Sequence, residues 1–152
     1  MFEENRKTEV IITDEWYNNR LMDANPNQLF IFGDNMMRVG NGGQACIRNH
    51  PNTYGVATKA APSMDVSAFF SDEKQKHMDT IVDDLGMLKE IMLSGIYNAI
   101  VFPESGLGTG LAKLKEKAPK THIKMLEILE KDFKIIEVCD WSNGGFKLQI
   151  KG

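Results

Sequence analysis

Apolar residues in this chain follow two patterns. Leu29-Phe30-Ile31-Phe32 and the stretch from Ile96 to Phe102 are continuous runs, as expected of strands covered on both faces. Met78, Ile81, Val82, Leu85, Leu88 and Met92 instead recur at helical spacing, along one face of a 3.6-residue period. Ser71 offers a cap ahead of that helix, and Gly95 ends it. Behind Pro119, the residues His122, Met125, Leu126, Leu129 and Phe133 keep the same spacing and predict a second long helix.

Shorter signals fill the gaps. Glu9-Val10-Ile11-Ile12 predicts a strand, after which Thr13 caps a short helix over Glu15 to Met22. Gln44 to Arg48 opens a helix that His50-Pro51-Asn52 stops, and Tyr54 to Thr58 forms a short strand. Leu111 and Leu114 start a helix that Pro119 interrupts. Ile135 to Val138 and Phe146 to Ile150 are the last strands, joined by a turn at Asn143-Gly144-Gly145. Strands alternate with helices through the middle of the chain. The expected fold is α/β, a three-layer α/β/α sandwich with a mostly parallel central sheet and an antiparallel hairpin at its C-terminal edge. One domain over residues 1–152 is expected, since this length buries a core without help from metals or disulfides.

Composition narrows the class. Hydrophobic content of 42% with 26% charged residues is that of a globular chain, so disorder and fibrous repeats are set aside. A net charge of -3 excludes nonspecific nucleic-acid binding as the main activity. Lys113, Lys115, Lys117, Lys120 and Lys124 cluster, but Glu116 and Glu127 interrupt them, as on a solvated helix face. Cys46 and Cys139 have no second Cys or His at ligand spacing, so neither a metal nor a cofactor is expected. With no apolar leader behind the first residues and no membrane-length run, the expected location is the cytoplasm.

Chemistry concentrates where the two apolar strands end. Leu29 to Asn35 runs into Gly40-Asn41-Gly42-Gly43-Gln44, and Ala99 to Pro103 runs into Gly106-Leu107-Gly108-Thr109-Gly110. Glycine-dense turns bring backbone N–H groups close to an anion, and a helix starting behind them adds its own unpaired N–H groups. Two such loops enclose a ligand with two ends, for which a nucleotide diphosphate is the candidate. The spacing fits neither G-x-G-x-x-G nor a P-loop, because no Gly-Lys-Ser/Thr follows. The N–H groups of Leu107 to Leu111 are expected to face phosphate oxygens, with the Thr109 hydroxyl as a further donor.

The first loop carries side chains as well. Asp34 is the candidate base and Asn35 its orienting partner, while Asn41 and Gln44 suit ribose hydroxyls. Equally, Asp34 and Asn35 serve to close a turn on their own backbone. Thr58 and Lys59 at a strand end, and Ser105 ahead of the second loop, complete the expected ligand contacts. Arg38 and Arg48 are of a type that clamps phosphate in bidentate fashion. Phe69, Phe70 and Trp141 are aromatics able to stack on a base. His50, His77 and His122 lack a Ser or Cys partner in a motif and read as structural.

The stretch from Leu29 to Ile47 resembles the first block of macro domains, in which an apolar strand ends in an Asn and a triple-glycine segment opens a helix. Asn35 matches that Asn, and Asn41-Gly42-Gly43 the glycines, with Asn41 in place of the first. Val101 to Gly110 looks like the macro-domain strand and diphosphate loop. A closer resemblance is to small bacterial and phage proteins of unassigned activity that share Phe32-Gly33-Asp34-Asn35, Gly42-Gly43-Gln44-Ala45, Pro51-Asn52, Gly55-Val56-Ala57-Thr58-Lys59 and Gly106 to Ala112.

The macro-domain resemblance implies a three-layer fold with ADP-ribose or a derivative as ligand. Asn35 and Gly42-Gly43 then hold the distal ribose, and Gly106, Leu107, Gly108, Thr109, Gly110 and Leu111 the diphosphate. Macro domains place an Asp near the end of the preceding strand for adenine, and Glu9 to Thr13 has none there, so the base stays unassigned. The expected activity is binding, and in the enzymatic case hydrolysis, of ADP-ribose-type nucleotides or ADP-ribosyl groups, with a free nucleotide or an ADP-ribosylated macromolecule as partner. The alternative is a noncatalytic sensor or sequestering module for a nucleotide signal.

Overall fold

The computed structural model describes residues 7–143 and 145–152. Residues 1–6, read above for a leader, and Gly144 of the expected turn lie outside that description. Among the described residues, six strands and four α-helices run in the order β1 Glu9–Thr13, α1 Asn19–Ala24, β2 Gln28–Asn35, β3 Thr53–Lys59, α2 Gln75–Ser94, β4 Ala99–Pro103, α3 Leu114–Lys117, α4 Pro119–Phe133, β5 Ile135–Asp140 and β6 Gly145–Ile150. The first four strands form one parallel sheet in the order β1-β4-β2-β3. The protein is therefore a mixed α/β fold around a parallel sheet.

Strand pleating explains why the two continuous apolar runs sit at the centre. Leu29 and Ile31 of β2, with Ile100 and Phe102 of β4, face a cluster that includes Ile81, Leu85 and Leu88 of α2 and Met125, Leu129 and Phe133 of α4. Their neighbours Phe30, Phe32, Ala99 and Val101 face the other way, onto Tyr17, Met22, Ala45 and Ile47. A strand buried on both faces has no polar side for solvent, hence the unbroken runs.

Local chemistry moved several boundaries. The short helix begins at Asn19 rather than Glu15, because Asn18 is the cap, its side chain accepting the Leu21 N–H at 2.9 Å. Thr13 caps nothing helical; its hydroxyl accepts the Glu15 N–H in a tight turn. Ser71 likewise accepts from Glu73, and α2 starts later, at Gln75. Gln44 to Arg48 is not an α-helix but part of a 3₁₀ turn over Gly43–Ile47. The terminal hairpin β5–β6 is not an edge of the main sheet but a separate two-stranded sheet, tied in where the Leu148 N–H reaches the Glu104 carbonyl at 2.8 Å. Among the described residues no helix is long and apolar enough to cross a membrane.

Candidate functional site

β2 and β4 are parallel neighbours, so both glycine loops leave the same edge of the sheet. Together they wall a cleft of about 980 Å³, and Gly40 to Gly43 line one side while Gly108 to Ala112 line another. That volume suits a ligand the size of a dinucleotide fragment. Asp34, Asn35, Gln44, Thr58, Lys59 and Ser105 border the same space. Leu107, between Gly106 and Gly108 of the second loop, instead turns its side chain into the core.

In both loops several carbonyls are held by hydrogen bonds, while runs of N–H groups have no acceptor among the described residues. Arg48 donates to the Gly40 carbonyl at 2.8 Å and to the Val39 carbonyl at 3.1 Å, and the Asn35 amide also donates to Val39, at 2.8 Å. Across the cleft, the Gln44 amide holds the Gly106 carbonyl at 2.9 Å, and the Thr109 hydroxyl holds the Ser105 carbonyl at 2.8 Å. Among the described residues, no acceptor takes the N–H groups of Gly40 to Gly43 or of Gly108 to Ala112. Gly106 at φ 91° and Gly108 at φ 74° adopt left-handed backbone that other residues enter only at a cost. Successive free N–H groups in such turns make an anion-binding concavity.

Several expected contacts are occupied inside the protein. Both Asp34 oxygens accept from Arg48, at 2.6 and 3.0 Å, and Arg38 lies 3.5 Å away; the carboxylate side chain is only 3% exposed. Asn35 spends its amide on Val39 and its oxygen on the Met37 N–H at 3.0 Å, closing the loop as an Asx turn. Gln44 is a strut between the loops, since its oxygen also accepts the Gly33 N–H at 2.8 Å. The Thr109 hydroxyl turns toward Ser105 instead of the cleft, which leaves its backbone N–H as the available donor. Lys59 donates to the Ser63 carbonyl at 2.5 Å and stands over the Phe69 ring at 4.7 Å.

The two arginines, of a type able to clamp phosphate, are held by carboxylates. Arg38 makes a bidentate pair with Asp84 at 2.7 and 2.8 Å. Burial works against its charge, but Asp84 and Asp34 outweigh burial and raise its pKa. Thr58 is different. Among the described residues no fully buried side-chain oxygen or nitrogen lacks a partner. The Thr58 hydroxyl has none, so it opens onto the cleft although the residue is 2% exposed.

Sequence reasoning missed several lining residues, Glu15 and Trp16 among them. Trp16 and Glu15 border the cleft from the segment after β1, beside Tyr17. Tyr17 is buried, its hydroxyl donating to the Ile31 carbonyl at 2.7 Å, and burial pushes that hydroxyl's pKa well up. The only available signal was a Trp next to the Tyr that anchors the segment, with no periodicity to place either. Of the aromatics that had been considered, Phe69 and Phe70 are buried, and Trp141 is exposed away from the cleft. A second, smaller cavity of about 300 Å³ lies against Ser105, Gly108 and Thr109, where His122 and Glu137 face each other at 3.8 Å. Burial lowers the His122 pKa, and Lys115 lowers it further, against the pull of Glu137 and Glu116.

Residues 12–128 match the model of a family of unknown function, DUF7831, and the chain belongs to that family. No curated protein and no solved structure matches it.

Proposed function

We propose that this cleft binds an ADP-ribose-type nucleotide in a macro-domain-like manner. The observation that carries the reading is a pair of loops bordering one cleft, in which the Val39, Gly40, Ser105 and Gly106 carbonyls are held while the N–H groups of Gly40 to Gly43 and Gly108 to Ala112 have no acceptor among the described residues. A diphosphate offers acceptors to the second loop, and a ribose or second substituent reaches the first. The parallel sheet, packed on both faces and carrying both loops at one edge, supports the macro-domain-like three-layer architecture.

Recognition fits the geometry better than hydrolysis. The Asp34 oxygens are committed to Arg48, and Asn35 to its own loop, so neither is free to take a proton from water in this arrangement. The protein then reads or sequesters a nucleotide, free or attached to a macromolecule. Isothermal titration with ADP-ribose tests this: saturable one-to-one heat is expected, and silence at millimolar ligand overturns it. Chromatography of the incubated ligand separates the two activities, since recovery of intact ADP-ribose is expected and a product peak restores the hydrolase reading.

A further inference from the structure

We propose that Trp16 is the platform on which the planar ring of the ligand stacks, an inference that rests on the nucleotide reading of the cleft. Trp16 is 90% exposed, yet it borders the same cleft as both glycine loops. Indole is the largest apolar surface a residue can present, and leaving it in water forgoes the gain from burying it. Its backbone, by contrast, is held at its carbonyl and at the residue that follows. The Trp16 carbonyl accepts from the Asn18 amide at 2.9 Å, and Asn18 also caps α1. The next residue, Tyr17, is locked by its bond to Ile31 and by edge-on packing against Phe30 at 5.8 Å. The segment thus fixes where the indole starts while its ring stays uncovered.

Competing aromatics are spent elsewhere. Phe70 lies stacked on His77 at 4.5 Å, and Phe69 sits beneath Lys59 and Lys117. Among the described residues bordering the cleft, Trp16 is the aromatic with a free face. The loops bind through N–H groups that distinguish phosphate but not base. Trp16 therefore separates ligands that carry a heteroaromatic ring from bare phosphates and sugar phosphates, because every base has a π-face to stack.

The test uses the full chain with Trp141→Phe, which leaves Trp16 as the sole tryptophan of the two in the sequence. ADP-ribose is expected to quench its fluorescence, while pyrophosphate binds without quenching. Adding Trp16→Ala is expected to weaken ADP-ribose binding by calorimetry about tenfold to a hundredfold and to leave pyrophosphate binding unchanged, with Trp16→Phe keeping most of the affinity. Equal ADP-ribose affinity with and without Trp16 overturns the platform and leaves the nucleotide reading standing. Absence of heat for both ligands overturns both.

Discussion

Asp34 and Arg48 form a two-pronged ion pair, at 2.6 and 3.0 Å, directly behind the first glycine loop. The same guanidinium holds the Val39 and Gly40 carbonyls, so one side chain links a buried carboxylate to the loop that lines the cleft. Removing Arg48 leaves Asp34 with the longer contact to Arg38. Breaking a buried pair from one side is expensive, so Arg48→Ala is expected to cost about 3 kcal/mol in urea unfolding. Arg48→Lys should recover only part of it, since an ammonium cannot reproduce the fork. A loss under about 0.5 kcal/mol, the scale of an exposed pair, refutes the linkage.

Gln44→Ala removes the strut between the loops. The Gly33 N–H and the Gly106 carbonyl lose their partner together, at a stability cost of about 1–3 kcal/mol. ADP-ribose affinity is expected to fall further than stability alone accounts for, because the second loop is then free to turn its N–H groups away. Titration of the variant well below its melting temperature checks this, and unchanged affinity contradicts the role.

At Gly108 a side chain meets two obstacles. Its φ of +74° disfavours L residues, and an added Cβ lies 3.0 Å from both the Thr58 and Leu114 Cβ atoms. Gly108→Ala is expected to destabilise by about 1–2 kcal/mol from backbone strain alone, with crowding added. Gly42→Ala has nothing within 4 Å and an ordinary backbone, so its melting temperature should match the unsubstituted protein. Equal melting of the two variants counts against the close approach of Thr58 and Leu114.

His77 makes stability depend on pH. Burial first, then Lys74 and Lys76, lower its pKa below the usual 6.5, and its Nδ1 accepts the Ser71 N–H at 2.9 Å, a bond the neutral ring makes. His122 is lowered too. A base with a depressed folded pKa binds its proton more readily in the unfolded chain. Its stability contribution is therefore complete above about 6.5 and is lost as pH falls toward the folded value. The melting temperature is expected to drop as pH falls below about 6.5, and His77→Gln should flatten part of that slope. An unaltered slope in the variant removes His77 as a contributor.

How much the sequence shows depends on whether a feature is local. The continuous runs around Phe30 and Val101 and the helical spacing of Ile81, Leu85 and Leu88 are local signals, and the structure keeps them as strands and a helix, with the starts moved from Ile96 to Ala99 and from Ser71 to Gln75. The glycine loops were legible for the same reason, as turn chemistry at strand ends. The partners of Asp34 and Gln44 were not, because Arg48 and Gly106 lie 14 and 62 residues away and only the sheet order brings them close. Whether Arg38 and Arg48 clamp phosphate or lie on the surface stayed open in the sequence, which does not show which carboxylates will claim them. Helix starts were misplaced where two residues competed as caps, Thr13 with Asn18 and Ser71 with the turn before Gln75. Trp16 escaped notice because exposure has no period.

The terminal hairpin has a consequence for solubility. β1 is an outer strand of the main sheet, and β6 lies against it, knitted in through Leu148 and Glu104. An uncovered outer strand is a template for pairing with another molecule. The matched family segment, residues 12–128, leaves out most of β1 as well as β5 and β6, so the strand and its cover lie outside it together. Loosening that cover should leave β1 open to pairing edge to edge with a second copy of the chain.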